Sequence, residues 1–363
     1  MAAEKTEKRK TEHIRICLEK KAQAKTVTTG FEDIKFVHRA LPEINREDIN
    51  LSTSFLKKTF SAPLIVGAMT GGTEEAVKIN QNIAMAVEKL GLGMGLGSQR
   101  AAIENGVLEK TFTVARKVAP NAFLIANIGG VQLVHGYGVK EVKKIVEMVD
   151  ADAVAIHLNA LQEAVQPEGQ TNFKGVLAKI GQVASKIDQP VIVKETGAGI
   201  SAEDAEALKN AGVAAIDVGG VGGTSFAAVE YYRGEKVLGE AFWDWGIPTA
   251  ASIVEVVQSA KLPVIASGGV RTGNDIAKAL TLGANLASII QPVLETAVKS
   301  SEETEQFLLE LLNELRNVLF LVGAKNIASL TDVPLVICNE TAEWLKIRGF
   351  NLEEYAFRGV PNV

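Results

Sequence analysis

The chain has 363 residues, 47% hydrophobic and 22% charged, a globular composition that excludes intrinsic disorder. A net charge of −5 argues against nucleic acid as the main partner. No apolar run reaches the ~18 residues of a membrane span, and the opening MAAEKTEKRKTEHIR does not read as a signal peptide, so a cytoplasmic protein is expected.

Residues 1–25 carry eight Lys or Arg against four Glu. They read as a solvated tail, or as an arm that closes over an anionic ligand. Cys17 and Cys338 lie far apart without metal-ligand spacing and read as free thiols. Eight short apolar runs follow, starting at Pro63, Leu90, Phe123, Ala153, Pro190, Ala214, Pro263 and Asn285. They lack polar alternation, which is the pattern of parallel strands buried on both faces. Helices fill the intervals. Thr73-Glu74-Glu75 opens one that Gly91 stops, Ser201 to Asp204 forms a capping box before Gly212, and Thr272 to Asp275 opens another ended by Gly283. Eight strand–helix units in series predict a closed (β/α)8 TIM barrel over residues 62–300, with an open doubly wound sheet as the alternative. Residues 1–61 form an N-terminal extension, and 301–363 a helical C-terminal extension in which 302–323 reads as an amphipathic helix. Segment 220–248 holds two of the three Trp and reads as a lid or an ordinary packed loop.

Barrel chemistry sits at the C-terminal strand ends. Polar residues gather there: Thr70, Ser98, Arg100, Asn127, His157, Asn159, Gln162, Glu163, Lys194 and Thr224. The loop Ser267-Gly268-Gly269-Val270-Arg271 precedes a helix and suits a phosphate, through its backbone N–H groups and the helix N-terminus. The Gly-rich stretch 219–223 lacks the context of a dinucleotide fingerprint and reads as a second loop of close approach. Lys194 ends an apolar strand, so it is either a Schiff-base nucleophile or a cation facing a delocalised anion. Glu163 is the candidate magnesium ligand, since hard cations take carboxylate oxygen beside substrate phosphate. Asp217 lies within a strand and reads as a buried, hydrogen-bonded acid outside the site.

These residues carry a resemblance. Arg9 to Ile14 (RKTEHI), Gly97-Ser98-Gln99-Arg100, His157-Leu158-Asn159 with Gln162-Glu163, Val193-Lys194-Glu195, Trp245 to Thr249 and Ser267 to Arg271 make the chain similar to the type 2 isopentenyl-diphosphate isomerases. The likeness implies an FMN-dependent barrel that interconverts isopentenyl and dimethylallyl diphosphate by 1,3-proton transfer. It implies reduced FMN, NADPH or NADH as reductant, and Mg2+. A homo-oligomer, tetramer or octamer, is expected. By the same resemblance, Ala68, Met69, Thr70, Ser98 and Asn127 line the flavin ring and Lys194 faces its anionic edge. Thr224, Gly268, Gly269 and Arg271 hold the ribityl phosphate. Arg9, Lys10, Arg100, His157 and Asn159 grip the diphosphate, Gln162 lies near the isoprene, and Glu163 holds the metal. Gln162, Lys194 and His157 are the candidate catalytic residues. Gln291 departs from the small or apolar residue expected before Pro292.

Three other readings stand beside this one. A 2-hydroxy-acid oxidase needs a His base beside an Arg clamp, and neither His135 nor His157 has that partner in its motif. A non-catalytic binder needs no magnesium carboxylate. An aldolase would use Lys194 as a Schiff base.

Overall fold

Eight parallel strands close into a barrel in the computed structural model, which describes residues 2–359, with side chains from Arg9 onward. They are β1 (Leu64–Val66), β2 (Gly93–Gly95), β3 (Phe123–Gly129), β4 (Ala153–Leu158), β5 (Val191–Glu195), β6 (Ala215–Asp217), β7 (Val264–Ala266) and β8 (Leu286–Ile289). One strand falls in each predicted run. β8 returns to β1 through Ala287↔Leu64 and Ile289↔Val66, which excludes the open sheet.

The apolar runs are explained by two shells. Alternate strand residues point inward, so Ile65, Phe123, Ile125, Ile192, Ile265 and Leu286 fill the barrel. Their neighbours Leu64, Val66, Leu124, Val154, Val193 and Val264 face the helices. Ala153, Ala155 and Ala215 leave room for Phe123 inside. The floor is plugged by an antiparallel hairpin, Thr53–Phe55 against Lys58–Phe60, from the N-terminal extension. Phe60 and Phe55 meet Phe123 with ring centroids 5.3 and 6.4 Å apart.

The helices that position the site are set by their caps. α1 (Ala2–Glu19) lies across the open end of the barrel. α2 (Glu74–Leu90) starts at Thr73, whose hydroxyl accepts from Ala76 N, and stops at Gly91 with φ +63°. Short α3 (Arg100–Glu104) and α4 (Ala160–Val165) follow β2 and β4. The 220–248 segment folds as α5 (Phe226–Arg233) and α6 (Lys236–Ala241). Its two Trp separate in role: Trp243 is buried and Trp245 is 61% exposed. α7 (Gly273–Thr281) and α8 (Gln291–Ala297) follow β7 and β8, and the long α9 spans Ser301–Val322.

The charged N-terminal segment is an arm, not a solvated tail. Ile16 and Ala22 pack on Ala228, Val229 and Trp243. Ser225 N donates to the Ala22 carbonyl (2.8 Å), and Ala24 N to that of Gly223 (3.0 Å). The C-terminal extension is not wholly helical. Its Leu335–Ile337 pairs antiparallel with Ile34–Phe36, joining the two extensions.

Candidate active site

At the C-terminal ends of the strands, under α1, lies a cavity of about 280 Å³. Every residue singled out above for ligand, metal or catalysis lines it, from Arg9 and Lys10 on α1 to Arg271 after β7.

One wall is cationic. Arg9 and Lys10 descend from α1, Arg100 opens α3, and His157 is the penultimate residue of β4. The Lys10 ammonium donates to the carbonyls of Gly71 (2.7 Å) and Ser98 (2.8 Å), which fixes it over the cavity. Burial first, and then the neighbouring Arg9, push the Lys10 ammonium down to about 7. The Arg9 guanidinium is also lowered, by burial and in part by Arg100, although Glu168 opposes the shift. His157 falls to about 3 through burial and the charges of Lys194, Lys10 and Arg9. Its tautomer is fixed by the chain. Asn127 Nδ2 donates to the Leu96 carbonyl (2.9 Å), so its Oδ1 faces His157 Nδ1 at 2.8 Å and accepts that proton. A neutral His157 therefore keeps Nε2 bare. Arg9, Lys10 and Arg100, gathered in one cavity with a neutral His157, suit a multiply charged anion.

Beside this wall sits Glu163, buried on α4. Its Oε1 accepts from Asn159 Nδ2 (3.0 Å), and its Oε2 from Gln166 Nε2 (2.7 Å) and Gln170 N (2.7 Å). Asn159 and Gln166 are both at least 95% buried, yet Asn159 Oδ1 and Gln166 Oε1 have no partner among the described residues. Two orphaned amide oxygens beside one carboxylate are the donor chemistry of a hard cation. Among the described residues no group of three His, Cys, Asp or Glu could hold a metal by itself. Magnesium held by one carboxylate and substrate phosphate needs no such group.

Across the mouth, the loops after β6 and β7 bring glycines into contact. A Cβ on Gly223 would lie 2.5 Å from Gly269 N, and one on Gly268 would lie 2.1 Å from the Gly220 carbonyl. Gly268 and Gly269 have φ of +100° and +73°, so the loop needs glycine twice over. The sequence reading also expected the following helix to offer its N-terminus, and here it needs correcting. Gly273 N donates to Glu314 (2.7 Å) and Asp275 N to Thr272 Oγ1 (3.1 Å). The start of α7 is thus partly satisfied by protein acceptors, which leaves the loop backbone with Arg271 as the candidate anion seat. Deeper in, the buried Lys194 donates to the Glu195 carbonyl (2.6 Å) and, among the described residues, has no carboxylate in salt-bridge range. Asp217 is buried and bonded to the Ser267 hydroxyl, as the sequence suggested.

Sequence reasoning missed a network that fastens α1. His13 Nε2 lies 3.1 Å from Glu230 Oε1, Arg233 pairs with Glu230, and Arg233 reaches Glu168 (2.8 Å) and Glu12 (3.3 Å). His13 sits inside the RKTEHI stretch, which was a usable signal. Glu230 is wholly buried on α5 amid a Tyr-rich turn, and no local pattern marks it.

Comparison with known proteins follows this geometry. The FMN-dependent dehydrogenase family matches residues 131–336. The isopentenyl-diphosphate delta-isomerase of Methanosarcina barkeri is 48% identical over 361 residues, covering 98% of each chain. That of Pyrococcus furiosus is 49% identical, covering 96% of this chain and 90% of its own. Among solved structures, a flavocytochrome b2 variant with sulfite bound superposes with a TM-score of 0.66 at 19% identity, covering 97% of this chain and 86% of its own. A mandelate oxidase does so with 0.62 at 16%, covering 93% and 99%. The two structures share the fold, and no helix among the described residues is long and apolar enough to cross a membrane. With nearly half its residues identical across almost its full length to such relatives, the chain belongs to the isopentenyl-diphosphate delta-isomerase family, on the FMN-dependent barrel.

Proposed function

We propose that this chain interconverts isopentenyl and dimethylallyl diphosphate with reduced FMN and Mg2+. The observation that carries the reading is one cavity lined on one side by a glycine loop with Arg271 and on another by Arg9, Lys10, Arg100 and His157 beside Glu163.

The residues present fit both groups. The glycine contact at 223 and 269 leaves backbone where a phosphate could approach, and Arg271 adds a fork of donors. The buried Lys194, with no carboxylate in salt-bridge range among the described residues, suits a delocalised anion. Thr224 would join the phosphate end, while Ala68, Met69, Thr70, Ser98 and Asn127 would line the ring. Reduced FMN, when bound, supplies an electron-rich ring that stabilises positive charge on the isoprene and can exchange a proton with it.

The remaining work falls to the chain. Arg9, Lys10, Arg100, His157 and Asn159 would hold the diphosphate, whose charge would favour the protonated forms that burial depresses at Arg9, Lys10 and His157. Glu163 would hold magnesium, with the orphaned oxygens of Asn159 and Gln166 close by. Gln162 Oε1 accepts from Asn159 Nδ2 (3.1 Å), which would turn its amide toward the isoprene end. α1 excludes water, which a tertiary carbocation requires. The oxidase alternative lacks a strong base: burial and the charges of Lys194, Lys10 and Arg9 hold His157 down to about 3, which makes its bare Nε2 a weak proton acceptor, and His135 does not line the cavity. NADPH or NADH would supply the reducing electrons, and assembly as a tetramer or octamer in the cytoplasm fits this family reading.

Glu163→Gln tests the metal role. Turnover should fall roughly a hundredfold or more and lose its magnesium dependence, while FMN affinity is unchanged. Full turnover in this variant would remove Glu163 from the mechanism.

A further inference from the structure

Gln291 opens α8, and its side chain meets three elements. Its Oε1 accepts from Arg271 Nη1 (3.1 Å), the arginine of the anion loop. Its Nε2 donates to Glu295 Oε1 (2.8 Å) one turn along α8, and to the Cys17 carbonyl (3.4 Å) near the end of α1. That carbonyl is among the last four of α1, which find no acceptor role inside the helix.

We infer that Gln291 is a positioning residue that aims Arg271 at the cofactor phosphate and couples this contact to the docking of α1. The inference rests on assigning the flavin phosphate to the Gly268–Arg271 loop. A guanidinium has five N–H donors in a rigid fork, and Gln291 engages one and leaves the rest to an anion. The arginine backbone is also held, since Arg271 N donates to Asp275 Oδ2 (3.1 Å). A long side chain ordered before its ligand arrives lowers the ordering cost of binding. Only an amide serves both neighbours here. An apolar residue would leave Arg271 loose and the Cys17 carbonyl bare, and a carboxylate would set negative charge beside the phosphate. Because one side chain touches both partners, whatever it adds to cofactor binding when α1 is docked it adds equally to α1 docking when the cofactor is bound.

The test uses the flavin-stripped full chain, titrated with FMN and with riboflavin, which lacks the phosphate. Flavin fluorescence reads affinity, and amide hydrogen exchange reads α1. Gln291→Met should weaken FMN roughly tenfold and leave riboflavin unchanged, so riboflavin doubles as the control for folding. In the wild type, FMN should slow exchange over residues 13–19 more than riboflavin does, and Gln291→Met should abolish that difference. Glu295→Ala should change neither readout. Equal loss of both flavins in Gln291→Met, or FMN affinity unaltered, overturns the role of Gln291. Wild-type protein that binds FMN no better than riboflavin overturns the phosphate assignment and the inference with it. FMN-dependent protection of α1 that persists in Gln291→Met overturns the coupling.

Discussion

The most informative single residue is His157. A ring held neutral, with its pKa near 3, destabilises the fold as pH falls, because the unfolded chain binds a proton near pH 6.5 that the folded chain refuses. Stability from this residue is fully present above about pH 6.5 and declines toward about pH 3. A bound anion should reverse the cause. The ring resonances of His157, followed by NMR, should show no titration between pH 5 and 8 in the free protein. Inorganic pyrophosphate should raise the pKa by about two units or more. An imidazole that titrates near its ordinary value without ligand would refute the account of the cationic wall. The residue identities at this wall were readable because their types are chemically unambiguous in an apolar strand: His157 after Ala-Val-Ala-Ile, Lys194 after Val-Ile-Val. Gln166 was not readable. A lone Gln after a helix looks like any surface residue, and only folding shows that it is buried with its amide on Glu163.

At the scale of elements, α1 is the part most dependent on tertiary contact. Its polar first turns give no intrinsic reason to stay docked, so packing of Ile16 against Trp243 and the Trp243 Nε1 bond to the Gln23 carbonyl (2.9 Å) hold it down. Lys25 stacks over the same ring at 3.7 Å. Trp243→Ala should release α1 while sparing the barrel. The expected result is a KM for the diphosphate raised about tenfold or more, accelerated proteolysis before residue 26, and FMN affinity reduced by no more than the coupling through Gln291. Unchanged KM would mean that α1 is not part of the binding wall. The sequence carried the charges of this arm but not its docking, because its apolar contacts come from residues more than two hundred positions away. Barrel strands and capped helices are local in origin, which is why Thr73, Gly91, Thr272 and Gly283 marked their elements correctly.

Across the whole molecule, stability and chemistry occupy opposite ends of one barrel. The floor is aromatic, plugged by Phe55 and Phe60 on Phe123, and the mouth is polar and charged. Phe60→Ala should cost about 3–5 kcal/mol, seen as a lowered Tm, with kcat at 25 °C unchanged. A variant that lost kcat with its Tm intact would contradict this division. The barrel and its eight strands were legible because continuous apolar runs have few alternative arrangements. The plug was hidden, because a hairpin of three-residue strands leaves almost no periodic signal. Pairing of Ile34–Phe36 with Leu335–Ile337 was hidden for a different reason: strand partners three hundred positions apart leave no local trace.

The central claim is that one cavity seats a reduced flavin and a prenyl diphosphate together. The most direct test is anaerobic incubation of the purified chain with isopentenyl diphosphate, FMN, magnesium and dithionite, with the products separated and identified. Dimethylallyl diphosphate should form only when FMN is reduced, with no flavin consumed. Flavin bound at the barrel mouth without any dimethylallyl diphosphate would contradict the account.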